Sequence, residues 1–271
     1  MLFRLFSFCV CFALSSCASN TDESPSPDDP YDVDVGPYSV DVRWTEYGIP
    51  HVLAEDYGSL GYGMGFALAR DHICTLADQI VKVRSERAKY FGEGNEGRHI
   101  NSDFGWLGLG VMAQAEAHFL DLPEPLRQAI VGYAAGYNQY LKDVGLDGLP
   151  SPCRNEPWVR PVTHIDLLAH YMHLGQFGSG YPFVDFVATA QPPSNDRSRF
   201  EPPAAERLEV FLDPPIASNG WSIGSERTEN GRGMLVSNTH FPDSGERQWH
   251  ESHLTIPGEL NVYGALWWVY P

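Results

Sequence analysis

The chain has 271 residues, 43% hydrophobic and 13% aromatic, which is enough apolar material for one sizeable core or two small ones and too much for a disordered chain. Its 35 acidic residues against 18 basic ones leave a formal net charge of −17, which repels a phosphate backbone and argues against nucleic acid as a partner. That charge says nothing about a neutral or apolar substrate.

In chain order, Arg4 precedes an apolar run from Leu5 to Leu14. The run is too short to cross a bilayer and suits the core of a signal peptide, so residues 1–16 read as an export signal. Leu14-Ser15-Ser16-Cys17 resembles the lipobox of bacterial lipoproteins. That resemblance implies lipidation of Cys17, a lipid anchor in a membrane and a periplasmic location. Ala18 is not an acidic retention signal, which favours the outer membrane. The other reading is an ordinary signal peptide ending near a cysteine. Residues 17–37 are rich in Ser, Pro and Asp and read as a solvated tether. Cys9 and Cys11 leave with the signal and lipidation uses Cys17, so Cys74 and Cys153 remain. An oxidising compartment would join them in one disulfide; two buried free thiols are the alternative.

Val40, Val42 and Trp44 alternate with polar residues, and Tyr47 to Val52 turns into a second extended piece, so a strand pair is expected. Asp56 can cap a helix whose apolar residues include Leu68, Ile73, Leu76, Ile80 and Val83. Gly92, Gly94 and Gly97 satisfy G-x-G-x-x-G, but they follow a helix and are expected to open no apolar helix, so they read as a loop. Further helices are predicted over Pro123 to Val144, with Leu126, Ile130, Tyr133, Tyr137 and Leu141 in one stripe, and over Thr163 to Gln176. Residues 38–190 thus form a mainly helical portion. Residues 191–217, with the pairs Pro192-Pro193, Pro202-Pro203 and Pro214-Pro215, read as a spacer. From 218 to 271 strands are expected. Asn230-Gly231 is a hairpin signal, and Glu251 to Ile256 reads as a strand closed by Pro257-Gly258.

The usual nucleophile and phosphate signatures are missing: there is no G-x-S-x-G elbow, P-loop or H-E-x-x-H. His250-Glu251-Ser252-His253 is one residue short of the zinc pattern, and on a strand its histidines would face opposite ways, so no metal site is expected there. His170 and His173 read as packing or surface residues. The informative segment is Ala217-Ser218-Asn219-Gly220-Trp221, where the spacer meets the first strand. If Asn230-Gly231 is a two-residue turn, His240 opposes Trp221, about three rises of roughly 3.4 Å along the ladder from Ser218.

This segment resembles the start of the β subunit in penicillin acylases, and more closely that of the aculeacin and acyl-homoserine lactone acylases. The likeness continues in Arg43 to Val52, Gly61 to Ala67, Ala77-Asp78-Gln79, Arg84 to Arg87 with Tyr90-Phe91-Gly92, Gly132 to Asn138, and Pro157 to Pro161. It covers nearly everything from Val40 onward except the spacer. The resemblance implies an α+β fold, the four-layer α/β/β/α sandwich of N-terminal-nucleophile hydrolases, here incomplete. It also implies self-cleavage of the Ala217–Ser218 bond, with Ser218 as nucleophile and His240 as its support. The implied substrate is an N-acylated small molecule, such as an acyl-homoserine lactone, a lipopeptide or a related antibiotic. The implied protein partner is the remainder of the β subunit, in an αβ heterodimer. No cofactor is implied, and structural calcium is left open. Family members continue for hundreds of residues beyond the segment resembling Val262 to Trp268, and that part supplies further oxyanion-hole donors, so the chain is expected to be an inactive fragment. The rival expectation is a lipid-anchored binding protein without activity, or a truncated product of the fold.

Overall fold

Alternating apolar residues build β1 (Val40–Trp44) and β2 (Pro50–Ala54), an antiparallel pair in which Val42 opposes Val52. In the computed structural model the described residues are 38–177, 179–191, 217–242 and 245–267. All fall within the unit Val33–Pro271; the unit Met1–Asp32, with the signal, Cys17 and most of the tether, lies outside the described residues, as does most of the spacer.

Asp56 caps α1 (Tyr57–Val83), its carboxylate accepting the Ser59 backbone N–H at 2.7 Å. The helix is kinked at His72, whose φ is −140°. A short α2 (Arg87–Phe91) leads through the glycine loop into α3 (Arg98–Leu109) and α4 (Val111–His118). This corrects the expectation that the glycines open no apolar helix. Gly94 and Gly97 have φ of +72° and +70°, and α3 starts at Arg98, directly after Gly97. The preceding element is still a helix, so the dinucleotide reading fails on that ground. Next come α5 (Glu124–Val144), α6 (His164–Gly175) and the short α7 (Val184–Ala188). Thr163 and Asp166 close a capping box on α6, and Asp166, 1% exposed, also receives both forks of Arg84 from the end of α1. That pair pins α6 to α1.

α1 lies against α5 along glycine contacts: a Cβ on Gly61 would sit 2.0 Å from the Ala129 carbonyl oxygen, and one on Gly132 2.0 Å from that of Gly58. The expected stripe of α5 packs inward, with Ile130, Tyr133, Tyr137 and Leu141 buried and Leu126 at its margin. Cys74 of α1 and Cys153 form a disulfide with their Cα atoms 5.4 Å apart, across 79 residues of sequence. Closing a loop of that length stabilises by about 4–5 kcal/mol in the chain-entropy account.

After the spacer, β3 (Ala217–Ile223) and β4 (Met234–His240) form a two-stranded sheet. β5 (Trp249–Ile256) and β6 (Leu260–Trp267) join the first two strands in a sheet of order β1-β2-β5-β6. The β2–β5 pairing is parallel, with His51 opposite His253 and Val52 opposite Leu254. Strands from before and after the spacer therefore share one sheet. Val52, Ala54, Leu254 and Ile256 are buried, and α1 contacts β1, β2 and β5. The class is α+β as expected: a helical layer on one four-stranded sheet, with a second, two-stranded sheet.

His170 and His173 of α6 are 1% and 2% exposed, with rings stacked at 5.6 Å, so they pack inside. Burial, aided by Lys82, pushes His170 from its ordinary 6.5 down to about 3 and drives His173 in the same direction. Because the folded values lie below the unfolded ones, the unfolded chain takes up protons first. The stability from neutral burial is complete above the ordinary histidine range and is lost as pH falls from there toward about 3, by up to about 1.4 kcal/mol per pH unit and histidine. Urea unfolding at about pH 7.5 and about pH 5.5 should show this loss, and His170→Leu should reduce it. An unchanged pH slope in that variant would count against the assignment.

Candidate active site

β3 begins where the spacer ends, which makes Ser218 the second residue of a strand. Ser218 is exposed, as is His240 at the end of β4. The register differs from the expected one. Val236, not His240, opposes Trp221, while His240 opposes Ala217 and Thr239 opposes Ser218. The physical reason lies in the connection. Instead of a two-residue turn at Asn230-Gly231, residues 224–233 form a longer loop holding a 3-10 turn, Ser225–Arg227, with Gly231 at φ +65° off its centre. The shift brings His240 one ladder position from Ser218, beside the Ala217–Ser218 bond. Directly opposed residues share a face, so the Ser218 side chain shares its face with Thr239 and the His240 side chain takes the other.

Beyond His240 an aromatic path leads inward. Phe241 lies 6.4 Å from the Phe177 ring and 5.5 Å from that of Trp249. Phe177, with His173, Leu174 and Tyr181, lines a small cavity closed by Glu246 and Arg247. Sequence reading missed the polar floor of this cavity. Lys82 of α1, 5% exposed, pairs with Glu246 just before β5, and Tyr181 donates its hydroxyl to Glu246 at 2.9 Å. Burial lowers the Lys82 ammonium from its ordinary value. Burial alone would raise the Glu246 carboxyl, but Lys82, Tyr181 and Arg247 outweigh it and hold that group below the usual value. The available signal was Lys82 itself, a charge set among Ile80, Val81 and Val83 on a buried helix end. Outside this floor an open cleft of about 490 Å³ includes Cys74, Asp78, Arg87, Phe91 and Trp158 in its lining. The Arg87–Asp78 ion pair lies in its lining.

The two histidines of His250-Glu251-Ser252-His253 do face opposite sides of the sheet. His250 meets Asp71 at 3.2 Å and the His72 ring at 5.4 Å, whereas His253 meets His51 on the neighbouring strand β2. Among the described residues no group of three or more His, Cys, Asp or Glu side chains is placed to hold a metal, and no helix is long and apolar enough to cross a membrane.

The penicillin amidase family model matches residues 39–271. The chain is 37% identical over 234 residues to the acyl-homoserine lactone acylase PvdQ of Pseudomonas putida, a match covering 84% of this chain and 30% of that protein. It is 33% identical over 257 residues to aculeacin-A acylase of Actinoplanes utahensis, covering 89% of this chain and 32% of that protein. Among solved structures it is similar to a thermostable penicillin G acylase from Alcaligenes faecalis, with a TM-score of 0.46 and 22% identity over 62% of this chain and 100% of that one. The chain spans about 30% of the length of the curated relatives it matches.

Proposed function

The chain belongs to the penicillin amidase family, and on that premise we propose that the protein is a hydrolase cleaving the carbon–nitrogen bond of a linear N-acyl amide, with Ser218 as nucleophile. The observation that carries this reading is the place of Ser218: exposed, at the head of β3 directly after the spacer, one ladder position from His240, in a chain matched to the family over residues 39–271.

A serine hydroxyl is a weak nucleophile until a base takes its proton. Cleavage of the Ala217–Ser218 bond frees an α-amine whose reference pKa, about 7.7–8.0, lies near working pH. In the uncut chain that nitrogen is an amide and cannot serve as a base. In the proposed cycle, the Ser218 oxygen adds to the acyl carbonyl and the amine receives its proton. The carbon–nitrogen bond then breaks as that proton passes to the leaving amine. Water hydrolyses the resulting acyl-enzyme to a carboxylic acid. His240 is a positioning residue: when Ala217 departs, it borders the new amine. The names of the similar proteins support an acyl-homoserine lactone or a lipopeptide as the source of the acyl chain.

The parallel β2–β5 pairing supports an αβ heterodimer, since strands from both sides of the spacer share a sheet. Export and a lipid anchor at Cys17, on the periplasmic face of the outer membrane, complete the reading. The test is release of free amine by the complete gene product from N-acyl-homoserine lactones and N-acyl peptides of graded chain length. Amine release from at least one series supports the proposal; none from either, by a correctly folded protein, contradicts it.

A further inference from the structure

His51 of β2 and His253 of β5 stand directly opposite one another in the parallel register, both half-buried, with their Nδ1 atoms 2.9 Å apart and their rings perpendicular. The second nitrogen of His253, Nε2, lies 2.8 Å from Asn261 Oδ1 on β6. An amide oxygen only accepts, so this bond places the proton on His253 Nε2 and leaves its Nδ1 lone pair to accept the His51 Nδ1–H, a proton that a cation entering between the two nitrogens would displace to solvent. Orientation of a ring by a hydrogen bond at its far nitrogen is how metal-binding histidines are commonly held.

The spacing matches two adjacent ligands of one ion. A cation about 2.0–2.1 Å from each nitrogen would subtend an N–metal–N angle of about 90° at this separation. That is the angle between neighbouring ligands in a tetragonal or square-planar site, the geometry of Cu(II) and Ni(II), and it is narrower than a tetrahedral zinc site requires. The surroundings favour a cation. Glu251 lies two residues from His253 on the same face of β5, held by the Tyr263 hydroxyl, and the whole chain carries a formal charge of −17.

We infer that His51 and His253 form a two-histidine site for a tetragonal transition-metal cation of the Cu(II) or Ni(II) class, bridging β2 and β5 and completed by water. Such an ion would staple a strand that precedes the spacer to one that follows it. The inference is independent of the hydrolase reading and needs no activity to be tested.

The probe is Cu(II) alone, titrated into the complete gene product without a histidine tag and followed by electron paramagnetic resonance. The expected result is one bound equivalent with hyperfine splitting from two imidazole nitrogens, accompanied by a metal-dependent rise in melting temperature. His51→Gln and His253→Gln should each remove both effects, while His250→Gln, on the other face of the sheet, should leave them. Asn261→Leu should weaken binding by about tenfold to hundredfold by freeing the His253 ring. Retention of the two-nitrogen signal in both glutamine variants, or absence of a bound equivalent in the parent protein, would overturn the proposal. If one glutamine variant fails to fold, the melting shift of the other decides.

Discussion

Ser218→Ala in the complete gene product is expected to lower amide turnover by on the order of 10⁶, the scale seen when a serine nucleophile is removed from a concerted catalytic group. The loss has two parts that act in sequence. Without the hydroxyl, the Ala217–Ser218 bond is not attacked, so no amine is released to serve as base. Even in a chain supplied already cut, the acyl-enzyme cannot form. What remains is rate enhancement from substrate binding and polarisation alone, roughly 10³–10⁴ over water in comparable cases. Steady-state kinetics on the parent and the variant, with the best acyl amide, checks this. Because the hydroxyl acts in the chemical step and not in holding the acyl chain, kcat should collapse while binding of a non-hydrolysable acyl amide is retained. A variant turning over within tenfold of the parent would remove Ser218 from the mechanism.

The second large effect concerns the helix pair on which the fold rests. Gly132→Ala should destabilise the protein by on the order of 3 kcal/mol, because a Cβ there would lie 2.0 Å from the Gly58 carbonyl oxygen and 3.0 Å from the Tyr62 nitrogen. Both contacts are to backbone, which cannot swing aside as a side chain can. The neighbouring glycines repeat the arrangement: a Cβ on Gly136 would meet the Tyr62 oxygen at 2.0 Å and one on Gly65 the Tyr133 oxygen at 2.1 Å. Separating the helices to make room would loosen the contacts of Tyr133 and Tyr137, both fully buried. The sign makes this test sharp. By helix propensity alone, alanine should stabilise a helix interior by about 1 kcal/mol relative to glycine. Urea unfolding therefore separates the two readings: a lower midpoint supports close helix approach, and a higher one contradicts it.

Local patterns carried most of the fold into the sequence. Asp56 announces its helix because a cap needs only a side-chain oxygen at the right residue. The α5 stripe is legible because one face repeats Ile130, Tyr133, Tyr137 and Leu141. What stayed hidden depends on partners distant in sequence. Nothing in Pro50–Ala54 says that it pairs in parallel with Trp249–Ile256, since pattern fixes which side chains face the core but not which strand lies alongside. The Lys82–Glu246 ion pair spans the spacer for the same reason. Helix α3 is hidden in the sequence because Gly105 and Gly108 interrupt its apolar pattern; in the structure they lie against Val184 and Val187 of α7. For the candidate site, the position of Ser218 after a proline-rich spacer was readable, whereas the register that sets His240 beside Ala217 was not. A hairpin register follows from loop length, and the loop between β3 and β4 proved longer than its Asn-Gly pair suggested.

The proposed hydrolase requires the chain to cut itself before Ser218. The most direct measurement is intact mass with N-terminal sequencing of the purified complete gene product, alongside its Ser218→Ala variant. The account predicts a new N-terminus reading Ser218-Asn219-Gly220 in the parent and an uncut chain in the variant. An uncut chain in both, or the same cut in both, would contradict it.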